Sequence, residues 1–214
     1  MVADQRNQEE YNKGQHIPME KKCKKCRREG EKLMLKGDRC FTPKCAVVTR
    51  PYIPGQHGPT SRIKLSEYAK QLREKQKLKR IYGLSESDMR KYYTEAERIQ
   101  GSTTEKLISL IESRLDNVVF RSGLAPSRAA SRQLVSHCKI KKNGKRVNIP
   151  SYSVKPGEIF EYTFAPENSE LKSDLANWID LDIKTKSITI KHIPSREEIE
   201  LNVNESLVVE YYTR

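Results

Sequence analysis

The fold is decided by residues 113–149, SRLDNVVFRSGLAPSRAASRQLVSHCKIKKNGKRVNI, because the local signals along this stretch agree with one another. Apolar residues recur at helical spacing across the start of this stretch. Leu107 and Ile111 precede it, and Leu115 and Val118 lie within it. Ser102 with Glu105 forms a capping box ahead of them, and Gly123 is a typical helix stop. The sequence therefore predicts one helix between these two signals.

A second helix is predicted to begin after Ser127, which is a good N-cap residue. Its Ala130 and Leu134 point one way, and Arg128 and Arg132 point the other way because residues four apart share a helix face. The helix therefore has a cationic side. The start of the helix, with its free N–H groups and positive dipole end, also favours a phosphate.

A β-hairpin is predicted to follow this helix. Asn143-Gly144 tolerates the positive φ angles of a type I′ turn, so residues 139–142 and 145–149 are expected to pair as strands. Helix and hairpin together present what we call the basic surface, made of Arg128, Arg132, Lys139, Lys141, Lys145 and Arg146. Charge alone leaves two interpretations open, a solvated protein surface or a site for a polyanion.

The chain of 214 residues has a net charge of +13 that is unevenly distributed. Residues 151–214 hold 7 basic and 12 acidic side chains, a net −5, which leaves a net +18 on residues 1–150. Such a density of positive charge favours RNA or DNA through counterion release. No apolar run is long enough for a transmembrane helix, and the first residues resemble neither a secretion signal nor a transit peptide. We therefore expect a protein of the reducing cytosol, or one made inside an organelle.

Four cysteines are spaced as C-x2-C-x13-C-x4-C, at Cys23, Cys26, Cys40 and Cys45. Two tight pairs separated by a loop are typical of a structural zinc site, and four thiolates would close the tetrahedral shell without leaving a position for catalysis. Four reduced thiols or two disulfides are the alternatives, and the missing secretion signal disfavours disulfides. Cys138 is a fifth cysteine without a partner in this pattern, and we expect it to be buried.

Residues 49–62, TRPYIPGQHGPTSR, form an extended strap because their prolines and glycines disfavour both helix and central strand. The strap is either a plain linker or an RNA-contacting segment. Tyr52, Gln56 and His57 favour the second interpretation, since such groups stack on bases or bond to sugar and phosphate.

Two further helices are predicted upstream of the decisive stretch. Ser66 caps a helix that ends before Gly83, and its outer side is expected to carry Lys70, Arg73, Lys75, Lys77, Lys79 and Arg80. Ser85 with Asp88 opens the next helix, whose stripe of packing residues is Met89, Tyr92, Tyr93, Ala96 and Ile99.

The acidic C-terminal part reads as a set of short β-rich runs, at residues 159–164, 179–183, 187–191, 199–203 and 207–211. Residues 169–177 favour one or two helical turns. This part either closes the core or offers an acidic face to a basic neighbouring protein.

The segment RLDNVVFRSGLAPSRAASRQLVSHCKIKKNGKRVNIPSYSVKPGE resembles the RNA-binding domain named after the fourth protein of the small ribosomal subunit. The segments LKGDRCFTPKCA, RPYIPGQHG and NESLVVEYYTR, with the two upstream helices, resemble the bacterial-type family of that protein, in its zinc-retaining branch. The resemblance covers everything after residue 20. Cys138 stands where it leads us to expect glycine.

The resemblance implies a structural, non-enzymatic constituent of the small ribosomal subunit, working in the cytoplasm or in an organelle. It implies early binding to a junction in the 5′ domain of the ribosomal RNA, promotion of assembly, and a place near the incoming mRNA and protein five, with a contribution to decoding accuracy. Residues and resemblance together give these candidate RNA contacts: Arg50, Tyr52, Gln56, His57, Arg62, Arg73, Lys75, Lys77, Arg114, Ser127, Arg128, Arg132, Gln133, His137, Lys139, Lys141 and Lys145.

The expected fold class is α+β, with a zinc-bound N-terminal segment and helical lobe, an RNA-binding module and a β-rich C-terminal segment. The expected boundaries are a tail at 1–20, a zinc segment at 21–48, the strap at 49–62, a helical lobe at 63–112, the module at 113–158 and the C-terminal segment at 159–214.

Two rival functions have some support in the sequence. Arg114-Leu115-Asp116 resembles the catalytic RLD motif of pseudouridine synthases, but only 65 residues follow Ile149, which is too few for their catalytic domain. Asp116 is better explained as a helix residue near Arg114 or another basic group. A zinc-finger DNA binder is disfavoured by the lack of Cys2His2 spacing and of a dimerisation heptad.

Overall fold

The computed structural model describes residues 21–60, 64–164 and 176–214, so the tail at 1–20, Arg62 and most of the helical turns predicted at 169–177 lie outside the described residues. Its helices are α1 (Lys22–Glu29), α2 (Ala46–Thr49), α3 (Glu67–Tyr82), α4 (Glu86–Arg98), α5 (Thr103–Glu112), α6 (Leu115–Arg121), α7 (Arg128–Ser136) and α8 (Glu205–Tyr212), with a 3-10 turn at Gly37–Cys40. Its strands are β1 (Ile140–Lys142), β2 (Lys145–Val147), β3 (Ile159–Tyr162), β4 (Ile179–Asp182) and β5 (Ser187–Ile190). Within the described ranges, no helix is long and apolar enough to cross a membrane.

Helices α3, α4, α5 and α8 enclose the first of two hydrophobic cores, built around Leu78, Met89, Leu107, Ile111 and Val208. The predicted caps of α3 and α4 are confirmed. The Ser66 Oγ accepts a hydrogen bond from the Ala69 N–H at 3.2 Å, and the chain leaves α3 through Gly83 at φ 65°. Ser85 and Asp88 make the reciprocal bonds of a capping box. These local signals fix the helix ends, and the shared core fixes how the helices pack.

The helix predicted from residue 102 to Gly123 is in fact two helices, α5 and α6. Arg114 is extended, at φ −74° and ψ 140°, and it pairs with Ser153 in an isolated β-bridge. The Ser113 carbonyl accepts from the Val154 N–H at 2.9 Å, and the Leu115 N–H donates to the Tyr152 carbonyl at 2.8 Å. The prediction was wrong because a segment some forty residues downstream supplies the hydrogen bonds that a continuous helix would have supplied locally.

A five-stranded antiparallel sheet forms the second lobe, in the order β2-β1-β3-β5-β4. The predicted hairpin is confirmed, since Asn143 and Gly144 both have positive φ, at 50° and 76°. The strands predicted at 159–164, 179–183 and 187–191 are confirmed as β3, β4 and β5, each one or two residues shorter. One face of this sheet packs against α6 and α7.

The second hydrophobic core lies under that face of the sheet. Trp178, Phe160 and Ile188 from the sheet side pack there with Leu115 of α6 and Val135 of α7. The β3 strand alternates strictly, with Ile159 exposed and Phe160 buried, so the inward register is specified by the sequence. The predicted α+β class is therefore confirmed in its mixture of helices and antiparallel strands.

The strands predicted at 199–203 and 207–211 are absent from the described C-terminal residues. Asn204 instead caps α8, and its side-chain oxygen accepts from the Leu207 N–H at 3.4 Å. Val208 of α8 is fully buried in the first core, and the Tyr212 ring stacks on Tyr93 of α4 with centroids 4.9 Å apart. The run of β-branched and aromatic residues suggested strand, but packing against α3 and α4 overrides that weak propensity.

The alternation of β3 gives a matched test of the second core. Phe160→Ala should lower the free energy of unfolding by about 3–5 kcal/mol because it leaves a cavity beneath the sheet. Ile159→Ala, one residue away and 50% exposed, should cost less than about 1 kcal/mol. Urea unfolding followed by the fluorescence of Trp178, the only tryptophan in the chain, measures both. Equal losses would contradict the observed register.

Candidate nucleic-acid interface

A fully buried carboxylate, that of Glu112 at the end of α5, organises the region from which the basic surface arises. It accepts a hydrogen bond from the Tyr82 hydroxyl at 2.5 Å, and Arg121 donates to both of its oxygens, at 2.6 and 3.2 Å. The Asn117 amide also donates to it, and the Arg128 guanidinium lies 3.8 Å away. Four helices, α3, α5, α6 and α7, thus meet at one negative charge.

The electrostatics of this cluster favour the ionised carboxylate. Burial alone would raise the pKa of Glu112, but the charges and hydrogen bonds of Arg121, with Arg128 and Tyr82, hold that pKa below its ordinary value. Burial and the adjacent charge of Glu112 raise the pKa of the Tyr82 hydroxyl well above its ordinary value, so it remains a donor. The pair of arginines and Glu112 is a buried ionic unit, which is stable only while it is complete.

Arg128 shares the side of α7 that carries Arg132, as the helix pattern predicted, but its guanidinium is largely buried and not directed into solvent. Its guanidinium is sandwiched between the rings of Tyr82 and Phe120, at 4.7 and 4.5 Å from their centroids, and its Nε donates to the Asn117 side-chain oxygen at 2.8 Å. Burial lowers its pKa, yet the neighbouring Glu112 and Tyr82 favour its charge. The helix pattern did not predict this burial, because the buried Glu112 requires a second cation and only long-range packing reveals that.

A cleft of about 320 Å³ lies between α1, the end of α3 and the start of α7. We call it the basic cleft, since its lining holds five cationic residues and no carboxylate: Lys22, Lys25, Arg80, Arg128 and Arg132. Arg132 is exposed and its Nη1 donates to the Gly83 carbonyl at 3.0 Å, which fixes the guanidinium at the mouth of the cleft. Arg80 is bound to Glu29 and to the Lys25 carbonyl. The cleft is therefore positive and preformed.

Met34 and Leu35, between α1 and the 3-10 turn, line one side of this cleft. The segment that contains them also makes a close backbone approach to the start of α7. Gly37 has a φ of 60°, and a Cβ added there would lie 2.5 Å from the Pro126 carbonyl oxygen, just before α7. No other residue type fits without displacing the chain. The segment and the start of α7 can thus approach this closely only because Gly37 has no side chain.

The β1–β2 hairpin carries a second group of cations. Lys141 pairs with Arg146 and Lys142 with Lys145 across the two strands, so like charges face each other. Lys142 is neutralised by Glu158 at 2.6 Å. In the described part of the chain, Lys141, Lys145 and Arg146 form no such ion pair, although Lys141 also lies directly opposite Glu161 of β3. Facing like charges destabilise a hairpin, and a bound polyanion would relieve that repulsion.

The strap is anchored to α1 through its backbone. The Arg27 Nε donates to the carbonyls of Arg50 and Tyr52, at 3.1 and 3.0 Å, and its guanidinium lies 4.6 Å from the Tyr52 ring centroid. The predicted contacts Arg50, Tyr52, Gln56 and His57 are exposed. Arg27 thus fixes the first residues of the strap, and the strap exposes polar and aromatic side chains to solvent.

The remaining predicted contacts divide into exposed and internal residues. Gln133, His137 and Lys139 are exposed with Arg132 and Lys145, and Lys141 is half-buried; the structure brings them together along α7 and the hairpin. Residues Lys75, Lys77, Arg114 and Ser127 are at least 94% buried, so they are not exposed on that surface.

The physical reasons are specific. Lys75 binds Glu86 at 2.6 Å beneath the Tyr211 ring of α8. Lys77 lies on another side of α3 and binds Glu31, in the segment after α1, at 2.7 Å.

Arg114 is held by Asp116 through two hydrogen bonds, at 3.1 and 2.8 Å, and by the Tyr92 hydroxyl at 2.8 Å. Asp116 is thus a structural partner, as the sequence interpretation of the RLD triplet held. The Ser127 hydroxyl oxygen accepts from the Ala130 N–H and caps α7. Arg73 is partly buried beside Glu29.

The four spaced cysteines line one narrow cavity between α1, the 3-10 turn and α2. All are reduced, and Cys26, Cys40 and Cys45 are buried. Burial and the neighbouring thiols raise the pKa of Cys26, against a hydrogen bond from the Leu33 backbone. As the side chains stand, no group of three or more His, Cys, Asp or Glu residues in the described ranges is arranged to hold a metal ion. The donor set and its convergence on one space nevertheless suit zinc.

Comparison with known sequences places the chain in a family. Residues 19–112 match the ribosomal protein S4/S9 N-terminal domain, and residues 113–160 match the S4 domain. The chain belongs to the uS4 family of small ribosomal subunit proteins. The protein named small ribosomal subunit protein uS4 from Aromatoleum aromaticum is 50% identical over 205 residues, covering 92% of this chain and 98% of its own. Those of an Azoarcus species and Natranaerobius thermophilus are 48% and 49% identical, with 92% and 90% of this chain covered and 98% and 96% of their own. The predicted family is confirmed.

Within this uS4 chain, sequence reasoning missed the basic cleft as a unit. Lys22, Lys25 and Arg80 lie beside Arg132 only after α1 and the end of α3 fold onto α7. Each was visible as part of a basic run, but no spacing in the sequence links them. Cys138, expected to be buried, is half-buried at φ 56°, which explains the expectation of glycine there.

The buried Glu112 predicts a pH-dependent stability. Because its folded-state pKa is lowered, its contribution is present above the unfolded pKa of about 4.3 and is lost as pH falls through the folded value. Glu112→Gln should cost about 3–5 kcal/mol at neutral pH, since it leaves two buried arginines uncompensated. It should also lose less stability than the native chain on acidification.

Urea unfolding at neutral and acidic pH measures both effects. Glu161→Gln, an exposed carboxylate on β3, is the matched control and should behave like the native chain. If the Glu112 and Glu161 variants were equally stable at neutral pH, the buried cluster would not have the role described.

Proposed function

We propose that the chain is a structural, non-catalytic constituent of the small ribosomal subunit that binds ribosomal RNA directly. The observation that carries this proposal is that α7 joins the preformed basic cleft to the hairpin, whose Lys145 and Arg146 form no ion pair in the described residues. Each exposed cation in such an arrangement can neutralise a phosphate and release counterions. Membership of the uS4 family and the net +18 on residues 1–150 support the same function.

The proposed target is a folded multi-helix junction in the 5′ domain of the small-subunit RNA. The cations sit on rigid elements at fixed separations, which suits recognition of RNA by its shape and backbone more than by base sequence. Binding such a junction would hold converging RNA helices together. We infer that the chain thereby promotes early subunit assembly.

We further propose neighbours for the acidic part of the chain. Glu161, Asp180 and Asp182 are exposed on β3 and β4, away from the basic cleft. A basic ribosomal protein suits this face, and the family resemblance suggests protein five, near the incoming mRNA. In that position the chain would contribute to decoding accuracy in cytoplasmic ribosomes.

We also propose one structural zinc ion held by Cys23, Cys26, Cys40 and Cys45. The support is their common cavity and the shortage of apolar residues around them, since α1 buries Cys26 alone of its eight residues. Zinc would supply fold stability to this segment and would exclude catalysis there by closing its coordination shell. Met34 and Leu35 of the same segment line the basic cleft.

The RNA proposal predicts a selective effect of Arg132. Arg132→Ala should weaken binding to a 5′-domain transcript and lower the salt dependence, log K against log salt, by about one unit. Lys184→Ala, an exposed cation on the acidic sheet, should leave both unchanged. Filter binding across a salt series measures these slopes.

The same assay tests the function itself. The native chain should prefer the 5′-domain transcript to an unrelated RNA duplex at moderate salt. Equal affinity for both would refute specific recognition, and equal slopes for the Arg132 and Lys184 variants would remove Arg132 from the interface.

The zinc proposal predicts about one zinc per chain by elemental analysis. Thiol titration of the native protein should show one readily reacting thiol, that of the half-buried Cys138, and five after chelation. A Cys138→Ser control should show none and four. Five reactive thiols before chelation, with no zinc in the protein, would refute the proposal.

A further inference from the structure

A second cavity, of about 310 Å³, lies on the side of α7 opposite to the basic cleft. Its floor is apolar, formed by Leu124, Leu134 and the ring of Phe164. Its rim holds the hydrogen-bonding side chains of Gln133, His137 and Lys139, all of them exposed. The volume is at the lower end of the range for small-ligand sites, about 300–1,000 Å³.

The cavity is built from fixed parts. The Lys139 carbonyl accepts from the N–H and the hydroxyl of Thr163, at 3.0 and 3.1 Å, which places Phe164 beside α7. The Phe164 ring also packs on Tyr162, with centroids 5.4 Å apart and the planes inclined at 51°. One ring face is thus supported from within the protein while the side chain lines the open space.

The charge around the cavity selects its occupant. Its lining contains one cation and no carboxylate, and the same helix carries Arg132 on the other side. An apolar slot with an aromatic wall and a rim of donors and acceptors matches an unpaired nucleobase, which offers a flat apolar face and a polar edge. A purely apolar partner would leave Gln133, His137 and Lys139 unmatched.

We propose that this cavity receives one unpaired nucleobase of the bound RNA. The proposal rests on the proposed function, because it requires RNA to lie across α7. The backbone would pass the basic cleft on one side of the helix, and a base would turn into the cavity on the other, with its face against Phe164 and its edge toward Gln133 and His137. Helix α7 would then read both the phosphates and one base of a folded RNA.

Two variants test the cavity by different routes. Phe164→Leu removes the ring but keeps apolar bulk, and Ala130→Leu fills the cavity from α7 without removing any polar group. Both should weaken binding to the 5′-domain transcript by about 5- to 150-fold, the usual range for one stacked base, with an unchanged salt slope. Phe164→Tyr should bind like the native chain, since it keeps the ring.

The second readout is chemical modification of the RNA bases in the complex. Phe164→Leu and Ala130→Leu should expose the same single base, which the native chain and Phe164→Tyr protect. Tyr68→Leu, which removes a 49% exposed ring from α3, should change neither affinity nor modification. Trp178 fluorescence melts verify that every variant is folded.

The outcomes separate the two proposals. If the native chain prefers the transcript but both cavity variants bind within about twofold of it, the base site is refuted and the proposed function stands. Weaker binding without any newly exposed base also refutes it. If the native chain shows no preference for the transcript, the proposed function fails first.

Discussion

The constraint on which the rest of the structure depends is the burial of one carboxylate. Glu112 has no access to water, so its charge has to be balanced inside the protein. Arg121 and Arg128 supply that balance, and Tyr82 and Asn117 complete its hydrogen bonds. These partners come from α3, α6 and α7, while Glu112 ends α5. Their relative positions are therefore set by one ionic cluster, and α7 carries the RNA-facing surface with it.

Burying charge in this way sorts the cations of a basic protein into two kinds. Those on α3 that face α8 or α1 share carboxylates in pairs, since Lys75 and Lys79 both bind Glu86, and Arg73 and Arg80 both bind Glu29. Each shared carboxylate compensates part of the charge of its two cations, so these cations offer less to a phosphate than cations without an ion pair. Arg132, Lys141 and Lys145 lack such partners in the described residues. The binding capacity of the chain thus depends on the arrangement of its charges more than on their total.

The sequence was sufficient wherever a feature is local. The caps of α3, α4 and α7, the Asn143-Gly144 turn and the alternation of β3 were all predicted, since each is a property of a few adjacent residues. Prediction failed where a distant segment decides. Residues 152–154 split the helix at Arg114, and the surface of α3 turned the C-terminal β-rich run into a helix. The burial of Arg128 was missed for the same reason, because the helix pattern gives its side of α7 but does not reveal Glu112.

The charged side chains buried in the interior contribute indirectly to RNA recognition. A folded RNA presents phosphates at separations fixed by its own shape, and flexible cations would have to lose conformational freedom to match them. The networks around Glu112 and Arg114 join the helical lobe to the sheet lobe. The loss of conformational freedom therefore occurs when the protein folds and not when it binds RNA. Buried arginines that touch no RNA can in this way strengthen binding by exposed ones. For this chain, residues important for RNA affinity should accordingly extend inward from the surface, along the contacts of Glu112.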